Sequence, residues 1–200
     1  MLLQRLESTT NDDEYFRWML FTVGYYRGIK RLDAAKDLLE RFLGVTSNPE
    51  YHVQCHLALG QIATDEHKMD AAVGHFKAAL DLQPSSKRIE YILRNNLGYC
   101  LNVVGRYGDG EHYCRTALDL NWSRSSAYRN LGISFQGQGK LTSAAWALLE
   151  SVKMDASDDR ARSLLKTLAT DHPSLVFQCP WIMEALEPAN VGLKQDTLSG

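Results

Sequence analysis

Residues 128–148 read Tyr128-Arg129-Asn130-Leu131-Gly132-Ile133-Ser134-Phe135-Gln136-Gly137-Gln138-Gly139-Lys140-Leu141-Thr142-Ser143-Ala144-Ala145-Trp146-Ala147-Leu148. Tyr128, Leu131, Gly132 and Phe135 fall at helical spacing and share one face. Gly139-Lys140-Leu141 supplies a glycine for a tight turn, and Ala144 and Leu148 restart the spacing beyond it. A glycine on the shared face lets the paired helix approach, because a larger side chain would hold the two backbones apart. The stretch is predicted as two helices packed back to back.

The same marks recur upstream. Leu59-Gly60 is followed by Ala72, Phe76, Ala79 and Pro84, and Leu97-Gly98 by Gly110, Cys114, Ala117 and Trp122. Leu131-Gly132 is followed by Ala144, Leu148, Ser151 and Ala156, so each glycine is trailed at offsets of 12, 16, 19 and 24. The glycines are 38 and then 34 residues apart, which places about four extra residues in the first interval, near positions 85–90. A weaker copy precedes them: Arg31-Leu32-Asp33-Ala34-Ala35 parallels Lys68-Met69-Asp70-Ala71-Ala72, with Leu39 at the Phe76 position. In it Val23 replaces the glycine, Phe42 the small residue and Ser47 the proline.

With a period of 34 residues, an early aromatic such as Tyr128, a Leu-Gly pair, small residues in the second helix and Pro84 at the end, the pattern resembles the tetratricopeptide-repeat family. The resemblance implies an all-α, right-handed superhelical solenoid of antiparallel helix pairs. Four repeats are expected at 16–49, 53–86, 91–124 and 125–158, after an N-terminal segment at 1–15. Ala161, Leu164, Leu165 and Leu168 form the stripe of a capping helix over 159–172, since a terminal repeat needs its open face covered. A C-terminal extension, 173–200, includes a short helical turn at Trp181–Leu186 that packs on the last repeat or serves as a tethered ligand, then a disordered tail from 189.

Composition limits the partners. Of 200 residues 44% are apolar and 23% charged, with a net charge of −2 and a pI near 6.3, so no general basic field exists for nucleic acid or an anionic membrane. No apolar run approaches the roughly 20 residues of a membrane span, and the N-terminus lacks a secretory pattern, so a cytoplasmic protein is expected. Cys55, Cys100, Cys114 and Cys179 form no CxxC pair and read as reduced, mostly buried thiols. Asn121-Trp122-Ser123 matches a glycosylation sequon by chance in that setting.

Three chemical motifs are set aside. His52, Cys55 and His56 are spaced as metal ligands, but His56 takes the large-residue position and Cys55 the core, so no metal is expected. The run from Gly132 to Lys140 fails the phosphate-loop pattern, with Ser134 where the first glycine should be and no preceding strand. No nucleophile, base and acid stand in a recognisable set, so neither catalysis nor a cofactor is expected.

The resemblance assigns function to the concave surface. Carrying the family's groove positions onto this chain gives Gln54, Leu57, Ala58, Gln61, Thr64 and Asp65, then Ile92, Asn95, Asn96, Tyr99, Asn102 and Val103, then Ser126, Arg129, Asn130, Ile133, Gln136 and Gly137. Amides can bond a peptide backbone without reading its sequence. Arg129 is the anchor for a carboxylate, while Tyr99, Leu57 and Ile133 supply apolar contact. The two-carboxylate clamp of chaperone-adaptor members is not carried over: Leu57, Gln61, Asn96, Ser126 and Asn130 stand at its five positions, and only Asn96 fits. The expectation is an adaptor that holds a peptide or helix of another protein. The alternative is a self-assembling scaffold that docks on a neighbouring copy through Trp181–Leu186 or through its aromatic first helix, where Tyr15, Phe16, Trp18, Phe21, Tyr25 and Tyr26 crowd together, unless residues 1–7 fold back over it.

Overall fold

In a computed structural model the described residues are 12–186, all of whose regular elements are helices. Four helix pairs follow one another: α1 (Asp12–Gly28) with α2 (Leu32–Leu43), α3 (Pro49–Asp65) with α4 (Met69–Asp81), α5 (Lys87–Val103) with α6 (Tyr107–Leu120), and α7 (Ser125–Gly137) with α8 (Leu141–Met154). Then come α9 (Asp159–Asp171) and two six-residue helices, α10 (Pro173–Gln178) and α11 (Trp181–Leu186). Each helix packs on its neighbours in the chain, and α5 also packs on α7 and α1 on α3. The result is a helical repeat solenoid with one layer of first helices and one of second helices.

The first helices α1, α3 and α5 begin one turn before the expected repeat starts, and α7 begins at its own, Ser125. Asn48 caps α3 by accepting from the Glu50 amide at 3.0 Å, with Pro49 inside the first turn. Ser86 caps α5 by accepting from the Ile89 amide at 3.4 Å. The helices these caps start begin four residues ahead of 53 and 91, so α1, α3 and α5 each run 17 residues while α7 runs 13. The extra residues between Gly60 and Gly98 are thus an added turn on α5.

Within each pair the turn is built the same way. Lys30, His67, Gly105 and Gly139 all take positive φ, at 61°, 60°, 80° and 73°. The following amide reaches back across the helix end: Arg31 to the Tyr26 carbonyl and Lys68 to the Ala63 carbonyl at 2.8 Å, Arg106 to the Leu101 carbonyl at 2.8 Å and Lys140 to the Phe135 carbonyl at 2.9 Å. This is the Schellman closure, which favours glycine at the left-handed residue. The first two turns hold it with lysine and histidine, at a cost of about 1–2 kcal/mol each.

Close approach explains the Leu-Gly pairs. A Cβ on Gly98 would lie 2.6 Å from Cys114 Sγ, and one on Gly132 would lie 2.7 Å from Leu148 Cγ. Gly60 meets the Phe76 ring in the same way. Val23, in the loosest pair, is simply buried. The core runs between the two layers through Leu39, Ile62, Phe76, Leu97, Leu131 and Leu148, each burial contributing about 1.5–3 kcal/mol.

At the C-terminal end α9 packs on α8, and α11 reaches both, with Leu165, Leu168 and Ile182 fully buried. Asp158 starts α9 by accepting from the Ala161 amide at 3.1 Å. Residues 181–186 therefore cover the last pair rather than enter the groove. The proposed fold-back of residues 1–7 and the tail from 189 lie outside the described residues. Among the described residues no helix is long and apolar enough to cross a membrane.

Candidate functional site in the concave groove

The first helices and the start of α9 enclose a cavity of about 490 Å³ lined by Arg27, Gln61, Thr64, Asp65, Asn95, Asn96, Tyr99, Arg129, Asn130 and Arg160. It brings together six of the ten partner-binding residues expected from sequence: Gln61, Asn95, Asn96, Tyr99, Arg129 and Asn130. Gln54, Leu57, Asn102 and Ile133 do not line it. Leu57 packs instead against the core cluster of α3, α4 and α5.

Two of the expected groove residues are held in structural hydrogen bonds. Asn102 and Asn130 are 4% and 3% exposed, and their amides are spent on structure. Asn102 Nδ2 donates to the Asn130 carbonyl at 2.8 Å, and its Oδ1 accepts from Ser134 Oγ at 2.8 Å. Asn130 Nδ2 donates to Asn95 Oδ1 at 3.0 Å. The side chains of Asn95, Asn102, Asn130 and Ser134 form a polar ladder that fixes α5 against α7.

Arg129 is committed as well. Its guanidinium pairs with Asp158, whose other carboxylate oxygen caps α9, so one buried acid ties α7 to the capping helix. As an anchor for an incoming carboxylate, Arg129 must share its charge with Asp158. Arg27 is partly engaged, donating to Asp65 at 2.8 Å and to Gln61 Oε1 at 2.6 Å. Arg160 is exposed and makes no ion pair among the described residues. Asn96 is half-buried and Tyr99 is 38% exposed, with neither side chain hydrogen-bonded among the described residues. Three guanidinium groups thus face a cavity with one lining carboxylate, on a chain whose net charge is −2.

Sequence reasoning missed Arg27 and Arg160. Arg27 stands four residues after Val23, as Thr64 stands four after Gly60, so extending the register to the weakest copy would have found it. Arg160 belongs to no repeat.

No protein-family model matches the chain. An uncharacterized TPR repeat-containing protein of Arabidopsis thaliana is 30% identical over 118 residues, 55% of this chain but only 14% of that protein's length. Among solved structures, MamA from Desulfovibrio magneticus RS-1 aligns with 88% of this chain and 97% of its own, at a TM-score of 0.66 and 17% identity. The helix pairs share the fold of tetratricopeptide repeats. A tetratricopeptide domain of Spaghetti (RPAP3), solved with the HSP90 peptide SRMEEVD, aligns with 61% of this chain and 94% of its own, at a TM-score of 0.55 and 18% identity. In this helical repeat array the groove is closed at one end by α9, which brings Arg160 to its rim.

Proposed function

We propose that this tetratricopeptide array is a non-catalytic interaction module that holds an extended acidic segment of a partner protein in its concave groove. The observation that carries the reading is the convergence of Arg27, Arg129 and Arg160 on one cavity beside the free amide of Asn96 and the exposed ring of Tyr99. A segment laid along the groove meets Arg160 first, since that guanidinium has no acid to leave. Asn96 then bonds the segment's backbone, and Tyr99 covers an apolar side chain. The repeats hold these groups on rigid helices, so little ordering entropy opposes binding. A fold neighbour that binds an acidic peptide supports the reading.

Peptide selection on the full chain tests it, followed by fluorescence anisotropy of the selected peptides. Acidic sequences are expected, with affinity falling roughly tenfold or more in Arg160→Glu, the loss expected for one charged hydrogen bond. Gln54→Ala, outside the cavity, should leave affinity unchanged. Selected sequences without acidic residues, or an Arg160→Glu variant that binds as the wild type does, would overturn the assignment.

A further inference from the structure

Outside the groove, a second cavity of about 450 Å³ opens where the start of α5 meets the loop between α6 and α7. Lys87, Arg88 and Arg124 line it beside apolar walls from Tyr91, Ile92 and Leu120, and among the described residues no carboxylate does. None of the three cations makes an ion pair or a side-chain hydrogen bond among the described residues. Glu90, the acid next to Arg88 but one, is turned away to Arg94 at 2.6 Å. The buried Tyr91 hydroxyl is satisfied by Ser126 Oγ at 3.1 Å.

At the preceding junction the same position is acidic and closed. Glu50 is the second residue of α3, ten before Gly60. Its carboxylate reaches the loop ahead of α5, accepting from the Ser85 amide at 3.3 Å and from Ser85 Oγ at 3.0 Å. Arg88 is the second residue of α5, ten before Gly98, and the loop ahead of α7 meets it with Arg124. Where an acid ties one helix to the following loop, a cation here opposes a cation. An anion placed between them turns that repulsion into attraction.

We infer that this crevice binds the phosphate of a phosphorylated serine or threonine in a partner protein. A phosphate monoester carries about −1.5 to −2 charge at neutral pH and three acceptor oxygens, so it can answer all three cations, whereas a carboxylate brings a single charge. Low-dielectric walls concentrate the field of the cations at the mouth. The same walls receive an apolar neighbour of the phosphorylated residue, a contact that a free ion does not make. No residue lines both this crevice and the concave groove, so the inference stands apart from the groove reading.

The test is selection on the full chain from a peptide library with phosphoserine fixed at the centre and random flanks, beside libraries with serine or glutamate there. Enrichment of the phosphorylated library is expected, with apolar residues next to the phosphoserine. In fluorescence anisotropy the selected peptides should bind Arg88→Glu and Arg124→Gln roughly tenfold or more weakly, the loss expected for one charged hydrogen bond. Arg88→Glu places at the start of α5 the charge that α3 already carries there, and Arg124 lies in a loop, so both variants should fold. Arg160→Glu, in the groove, should bind the same peptides as the wild type does. Equal recovery from the serine or glutamate library would overturn the phosphate, and unchanged affinity in both crevice variants would overturn the site. Inorganic phosphate that binds as tightly as the peptides would reduce the crevice to an ion site and overturn the partner.

Discussion

At the C-terminal end α9 to α11 lay Leu165, Leu168, Leu175 and Ile182 against α8, and each is at most 3% exposed. At the other end α1 turns Phe16 inward, stacked 4.1 Å from Tyr51 and 5.3 Å from Phe42, yet leaves Phe21 60% and Tyr25 50% exposed. Both ends are apolar. The first buries a row of aliphatic side chains within the chain while leaving Phe177 and Met183 exposed, whereas the other keeps two aromatic rings on the outer face of its terminal helix. In a solenoid, where each repeat contacts only its neighbours, the finish of an end decides whether it seals the array or offers a surface.

The largest effect should come from breaking the sealed end. Leu168→Ala empties a fully buried position and is expected to lower unfolding free energy by about 2–5 kcal/mol in urea titrations followed by circular dichroism. A loss under about 1 kcal/mol would mean that α9 is an appendage and not a cap. A smaller effect, in the interior, comes from Glu111 on α6. Burial raises its pKa, but hydrogen bonds from Gln138, Lys140 and Arg115 outweigh burial and hold it down at about 2, from an ordinary 4.5. Because the folded value is the lower one, this contribution is present above about pH 4.5 and is lost as pH falls toward about 2. The urea midpoint of the wild type should therefore fall more steeply between pH 5 and pH 3 than that of Glu111→Gln. Identical slopes would show that the network contributes nothing.

At the open end the expected stability change is smallest. Phe21→Ser with Tyr25→Ser should stay within about 0.5 kcal/mol per site, because both rings are already half in water or more. We propose that the same face pairs with a second copy of the chain, a self-complementary contact of the two-fold kind. Light scattering across a concentration series should show dimer in the wild type and monomer in the double variant. A wild type that stays monomeric throughout removes this contact.

The repeat register was readable because it rests on close packing: Gly60, Gly98 and Gly132 sit where Phe76, Cys114 and Leu148 leave no room for a Cβ. Register also places a residue on the groove side of its helix, which is why Asn96 and Tyr99 could be named. It does not give depth. Asn130 occupies the same repeat position as Asn96, yet it is buried because α5 presents Asn95 and Asn102 to it. Such pairings depend on which side chains two successive repeats happen to contribute. The left-handed conformation at Lys30 and His67 was also hidden, since neither residue announces a turn as Gly105 and Gly139 do.

Cys55 on α3, Cys100 on α5, Cys114 on α6 and Cys179 between α10 and α11 are all buried, and burial pushes the first and third thiols up to about 12. A thiol in that state reacts only while its surroundings are open. Spaced from the second pair to the cap, the four cysteines work as clocks built into the array. With three of them replaced at a time, the labelling rate of the remaining one times the opening of its own helix, and comparing the four gives the order in which the array unzips.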